Sequence, residues 1–113
     1  MRTNTLGLVS EYIVIIIYMM RFYKLLRHRM RNYVGEIDIV MVRNKTIVFI
    51  EVKARSSLFK YEERVLKSNQ QLRIKRSAEL FLSWHKKYQS YDIRFDLVLI
   101  SPYKLPMIIR NAW

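Results

Sequence analysis

Apolar residues in this 113-residue chain fall into blocks separated by polar turns. Between Gly35 and Lys53, two β-branched runs, IDIVMVR and TIVFIEVK, flank Asn44-Lys45, the pattern of an antiparallel hairpin. Upstream, the unbroken apolar run Tyr12–Met20 lies within residues 4–27 and predicts a helix buried on most of its surface, with Thr5 or Ser10 as N-cap. Ala54 to Lys60 reads as a polar connector. Tyr61 to Tyr88 then predicts a long helix broken near Ser68-Asn69 and closed by Gln89-Ser90, with Val65, Leu72, Ala78, Leu80, Phe81, Leu82 and Trp84 facing the core. Ile93–Ile100 is a further strand ended by Ser101-Pro102, and Ile108-Ile109 marks a last short one.

Charges interrupt the hairpin where a buried strand would exclude them: Glu36 and Asp38 in its first run, Glu51 and Lys53 at the end of its second. A two-residue loop sets Asp38 opposite Glu51 and Glu36 opposite Lys53, with paired Cβ atoms ~4.5–5.5 Å apart. Carboxylates that close repel unless a proton or a cation lies between them, and a hard divalent ion such as Mg²⁺ takes carboxylate oxygens. Lys53 shares a strand face with Glu51, within reach of a bound water or a phosphate. A three-residue loop would separate the carboxylates but leave Glu51 and Lys53 together.

The length suits one domain, residues 1–113. Absence of cysteine excludes disulfides and thiolate metal sites, and two histidines, His28 and His85, are too few for a histidine-based zinc site. Any metal is therefore held by oxygens. The formal net charge of +12 attracts polyanions, nucleic acid first and anionic membrane second, with a plain solvated surface as the alternative. Arg21–Asn32 holds five of these bases and no acid, and places a basic stripe before the hairpin; His28 within it reads as a surface or phosphate-contacting residue. Glu11 reads as a first-turn acid on the helix dipole or as a functional group. Asp96 reads first as a partner for Arg94 and second as a fourth acid of the site. The run Tyr12–Met20 falls short of the ~20 residues of a spanning helix, and Glu11 ahead of it fits a signal peptide poorly, so a cytoplasmic chain without a transmembrane segment is expected. Exposure of that run would instead point to a peripheral membrane or partner-binding protein.

Asp38 followed by Glu51-Val52-Lys53 resembles the acid and E-x-K pair of the PD-(D/E)XK nuclease superfamily. The wider set GEIDIV, VFIEVKARSS, RFDLVLI and NAW is similar to the YraN-like family of restriction-endonuclease-like proteins over nearly the whole chain. Gly7-Leu8-Val9-Ser10-Glu11 meets that family's Gly-x-x-Gly-Glu-like pattern. The resemblance implies an α/β, restriction-endonuclease-like core of α-β-β-β-α-β order, a central mixed sheet with an antiparallel hairpin flanked by helices. It also implies a strand over Phe22–Arg29, entered at a family glycine where Phe22 stands here. Phe59-Lys60 replaces an aromatic-Gly pair, and Gln70-Gln71 replaces a Lys-Gln pair, with Lys67 and Arg73 within a helical turn.

In chemistry, the resemblance implies that Asp38, Glu51 and the Val52 carbonyl hold Mg²⁺ or Mn²⁺, that Glu11 completes the ligands or places a second metal, and that Lys53 stabilises the transition state or orients the attacking water. Glu36, opposite Lys53 in the register, is expected first to neutralise it and second to serve as an additional ligand. Arg27, Arg29, Arg31, Arg55, Lys67 and Arg73 are expected against nucleic acid. The function so implied is a metal-dependent endonuclease cleaving DNA, structure-selective in the manner of Holliday-junction resolvases and, by the same fold-level analogy, a homodimer. The alternative is a non-catalytic nucleic-acid-binding protein that keeps the fold.

Overall fold

Ile47, Val48, Phe49 and Ile50 are consecutive and have no solvent exposure, which happens only to a strand covered on both faces. The computed structural model, which describes residues 4–56 and 64–113, puts that strand in the middle of a five-stranded sheet. In chain order the elements are α1 (Asn4–Met20), β1 (Lys24–Arg31), β2 (Glu36–Arg43), β3 (Thr46–Ala54), α2 (Ser68–Ser83), a 3-10 turn at Lys86–Tyr88, β4 (Asp92–Ile100) and β5 (Met107–Ile109). Spatial order follows sequence order, β1 to β5. All neighbours run antiparallel except β3 and β4, and a parallel pair requires the long crossover that α2 supplies. The architecture is α/β, with a mixed sheet and one helix on each face.

Side-chain alternation along the strands divides the core in two. Val14, Ile15 and Tyr18 of α1 pack on Ile39, Met41, Val48, Ile50 and Val98. Ile74, Ala78, Phe81 and Leu82 of α2 pack on Val40, Ile47, Phe49, Leu97 and Leu99 from the other side. The β2–β3 hairpin has the expected two-residue loop: Arg43 pairs with Thr46, and the register continues to Ile39 opposite Ile50. Asn44 takes a φ of 55° in that loop, a left-handed conformation its short polar side chain tolerates.

Several sequence expectations are corrected. Thr5 and Ser10 lie inside α1 rather than capping it, so Glu11 sits mid-helix and not in a first turn. The run Tyr12–Met20 is not buried on most of its surface; only one stripe meets the sheet, and Tyr12, Ile13, Ile16, Met19 and Met20 are exposed. The second helix is shorter than Tyr61–Tyr88. It begins at Ser68, where the break was expected, and ends at Ser83; residues 61–63 lie outside the described set. Val65, Leu72 and Trp84 are exposed rather than core. They fall off the stripe of α2 that carries Ile74, Ala78 and Phe81. No helix among the described residues is long and apolar enough to cross a membrane.

The junction between α1 and β1 explains why the strand starts two residues later than Phe22. Tyr23 N–H donates to Tyr18 C=O and Phe22 N–H to Met19 C=O, at 3.0 Å each, the two bonds of a Schellman C-cap. Phe22 occupies its left-handed position, φ 70°, with the ring almost fully in solvent. The rings of Tyr18 and Tyr23 meet edge to face at 5.1 Å, the apolar contact that accompanies such caps. Asp96 anchors the same corner. It is fully buried and accepts from Tyr18 Oη at 2.7 Å, from both Arg94 Nε and Nη2 at 2.9 Å, and from the Asn111 N–H at 3.0 Å. Asp96 is thus the partner of Arg94, the reading preferred from sequence.

Two stability measurements follow. Phe22→Gly relieves a left-handed conformation that costs a side chain ~1 kcal/mol, so urea unfolding should show it more stable by about that amount. Asp96→Ala leaves Arg94 and Tyr18 without their shared acceptor and should lower stability by about 3–5 kcal/mol. A change under ~1 kcal/mol would contradict the anchoring role.

Candidate active site

The site forms where β2 and β3 part. Their ladder ends at Ile39 opposite Ile50; beyond it β2 continues against β1, with Ile37 on Met30 and Glu36 on Arg31, while β3 continues against β4 from Glu51 on Leu97 to Ala54 on Ile100. Continued register would bring Val52 to Ile37. Instead the Val52 N–H donates to Asp38 Oδ2 at 2.8 Å, so a side-chain carboxylate fills the fork. Asp38 and Glu51 lie side by side there, as the register requires, close enough for each carboxyl to act on the other's charge. Gln70 of α2 donates from Nε2 to Glu51 Oε2 at 3.0 Å. Gly35, Glu36, Asp38, Glu51, Gln70, Arg73 and Ile74 line a polar cleft of about 250 Å³ over the pair.

Burial pushes both carboxyls above their ordinary values, Asp38 to about 6 and Glu51 to about 9. Asp38 is drawn back by the Val52 N–H, whereas Glu51 is pushed further by the Asp38 charge and held down by Lys53. Burial and mutual repulsion thus favour a proton held by the pair rather than two charges. A divalent cation in the proton's place would meet the same demand. Two converging carboxylates and an open cleft fit such an ion; among the described residues no three His, Asp or Glu side chains converge as a ligand cluster.

Glu11 approaches from the α1 side. It is buried, and its Oε1 accepts from Arg29 Nε at 2.9 Å and lies 2.8 Å from His28 Nε2. Consecutive strand residues ordinarily point to opposite faces, yet His28 and Arg29 both reach Glu11. The left-handed φ of 55° at Arg29 is what breaks the alternation. Strain of this kind persists where surrounding contacts enforce it. A second cleft of about 330 Å³, lined by Glu11, Arg29, Arg31, Glu36, Ile37 and Asp38, shares Asp38 and Glu36 with the first.

The other expected residues are distributed as follows. Lys53 lies two residues beyond Glu51 on the same face of β3. Glu36 is not placed opposite Lys53, because the ladder has already ended; it pairs with Arg31 at 2.6 Å across β1. Arg73 lines the cleft, and Lys67 is exposed at the N-cap position of α2. Arg55 is exposed just after β3, with Nη1 on the Ala54 carbonyl at 2.9 Å. Arg27 is turned away toward α2, over the Phe81 ring and 3.4 Å from His85 Nε2. Phe59 and Lys60 lie outside the described residues.

Gln70 and Asn32 were not assigned to the site from sequence. Gln70, which the resemblance singled out only as a departure, bonds a site carboxylate directly. Asn32 Oδ1 accepts from the Val34 and Gly35 N–H groups while its Nδ2 donates to the Ser77 carbonyl, tying the cleft's rim to α2. An Asn three residues ahead of a Gly between two strands was the available signal for such a turn.

Because both carboxyls bind a proton more tightly folded than unfolded, their contribution to stability is full below the ordinary carboxylate range. Without metal it falls as pH rises through Asp38's value near 6 toward Glu51's near 9. Glu51→Gln, which mimics the protonated group, should therefore melt progressively higher than the parent as pH is raised from acid to mildly alkaline in chelator. A difference in Tm that stays constant with pH would contradict the shared proton.

Comparison with known proteins bears on the whole arrangement. A family model described as "Uncharacterised protein family UPF0102" matches residues 10–100, a span that contains Glu11, Asp38, Glu51 and Lys53. A UPF0102 protein of Ehrlichia ruminantium (strain Gardel) is 41% identical over 97% of this chain and 84% of its own length. Another, from Ehrlichia chaffeensis, is 36% identical over 97% and 88%. One from the distant Caldicellulosiruptor bescii is 38% identical over 88% and 85%. The likeness drawn from the motifs holds across these spans, and the chain belongs to the UPF0102, or YraN, family.

Proposed function

We propose that this protein is a metal-dependent endonuclease with a restriction-endonuclease-like core, acting on phosphodiester bonds in DNA and selecting its substrate by structure. The observation that carries the reading is the buried, hydrogen-bonded pair Asp38 and Glu51, placed beside Lys53 in an open cleft of a chain with net charge +12. Bound Mg²⁺ or Mn²⁺ would polarise the phosphate and lower the pKa of a water. Asp38, Glu51 and the Val52 carbonyl would hold it, with Glu11 reaching the same centre past its bonds to His28 and Arg29. Lys53 supplies fixed positive charge where negative charge develops on the phosphate oxygens. Arg73 on the cleft wall and Arg31 at its rim position the backbone of the nucleic acid, and Lys67 and Arg55 extend the basic surface.

A second reading, a nucleic-acid-binding protein without turnover, has one observation in its favour: with Glu11 engaged by Arg29 and His28, no three acids converge as a ligand cluster among the described residues. Incubation of the purified chain with branched, single-stranded and duplex DNA plus Mn²⁺ or Mg²⁺ separates the two. Asp38→Ala and Lys53→Ala should each lose ~100-fold or more in cleavage rate while retaining the fold. Cleavage that persists in both variants would remove the site; tight binding without cleavage by the parent would favour the second reading. In a salt titration, log affinity should fall by ~0.9 per neutralised phosphate for each unit of log salt, and Arg73→Ala should reduce that slope by about one contact.

A further inference from the structure

Only one side of α1 is used by the sheet. Val14, Ile15 and Tyr18 are buried on it, whereas Val9, Tyr12, Ile13, Ile16, Met19 and Met20 form the opposite stripe and are 39–75% exposed. The helix carries no base, and its one acid, Glu11, is buried on the inner side. With Phe22 exposed at its end, the stripe is a contiguous apolar patch on the order of the largest found on a typical monomer, ~300–600 Å² and often functional. Burying it against an equal stripe gives a contact at the small end of specific interfaces, below the ~800 Å² that each partner contributes to a standard one.

We propose that the stripe is a self-association surface, on which a second copy of the chain packs its own α1 about a two-fold axis near Ile13 and Ile16. A single uncharged stripe is self-complementary, as an isologous interface requires. The net charge of +12 on each copy opposes association, but residues 4–20 contribute no base, the exposed Arg21 and Lys24 lie at the end of the stripe away from Ile13 and Ile16, and charges farther than ~8 Å are screened at physiological salt. Interfacial helices on anionic bilayers draw on Lys and Arg along their polar face, and α1 has none along its length, which favours a second copy as the occupant. Since α1 and α2 lie on opposite faces of the sheet, the pairing leaves the cleft of Asp38, Glu51 and Gln70 open in both copies. The inference stands apart from the nuclease reading.

Sedimentation equilibrium of the full chain across the micromolar range tests it. The expected mass is twice 13.8 kDa, and Ile16→Glu should raise the dissociation constant ~100-fold or more while the far-UV circular dichroism of the chain stays that of the parent, because the position is exposed. Ile13→Cys, in an otherwise cysteine-free chain, should give a disulfide-linked dimer under mild oxidant, which checks the seam in a variant that adds no charge. Flotation with phosphatidylglycerol vesicles supplies the competing outcome. A monomer at every concentration, a monomer that floats with vesicles, a dimer unaffected by Ile16→Glu, or Ile13→Cys that does not cross-link would each overturn the proposal.

Discussion

The parting of β2 from β3 is the constraint on which the site depends. β3 is paired with β4 along its whole length, but with β2 only as far as Ile50. Past that point β2 stays with β1, and the backbone N–H of Val52 must find another acceptor. Asp38 supplies it, which fixes the Asp38 carboxyl in the fork and brings it against Glu51. Two acids are thus buried together because the sheet divides there. The cost is an environment that disfavours their charged forms, a cost that a bound proton relieves and that the divalent cation of the proposed function would also relieve.

The rest of the fold holds the fork steady from both faces. α2 spans the parallel crossover and delivers Gln70 and Arg73 to one side of the carboxyl pair. α1 delivers Glu11 to the other and is itself anchored through Tyr18 to Asp96, an acid with no exposure and four donated hydrogen bonds. Acids of similar sequence setting thereby take different roles. Asp96 is matched by Arg94 and locks a corner; Asp38 and Glu51 meet one backbone N–H, one amide and the nearby charges of Arg29 and Lys53.

Much of the hairpin was legible in the chain. β-branched runs around a two-residue Asn-Lys loop determine the register, and the register puts Asp38 beside Glu51 with Lys53 on the latter's face. The end of the ladder was not legible, because it depends on β4 drawing β3 away, a contact between segments some forty residues apart. For that reason Glu36 was assigned to Lys53 and is found on Arg31. The left-handed Arg29 was hidden in the same way, since nothing local in RHRMR demands it. Helix α1 failed for a different reason: its inner and outer stripes are both apolar, so hydrophobicity showed a helix but not which side the sheet would use. In α2 the error was partly one of length, since Val65 and Trp84 lie beyond its ends, and partly one of face, since Leu72 lies inside it but off the stripe that meets the sheet.

Titration calorimetry of Mn²⁺ into the purified chain at neutral pH, repeated in buffers of different ionisation enthalpy, measures both ion binding and proton release. If Asp38 and Glu51 hold a proton that a divalent cation displaces, the parent will bind Mn²⁺ with release of about one proton, and Asp38→Asn and Glu51→Gln will each abolish the event. Equal binding by the parent and both variants, or no binding by any of them, would contradict the account.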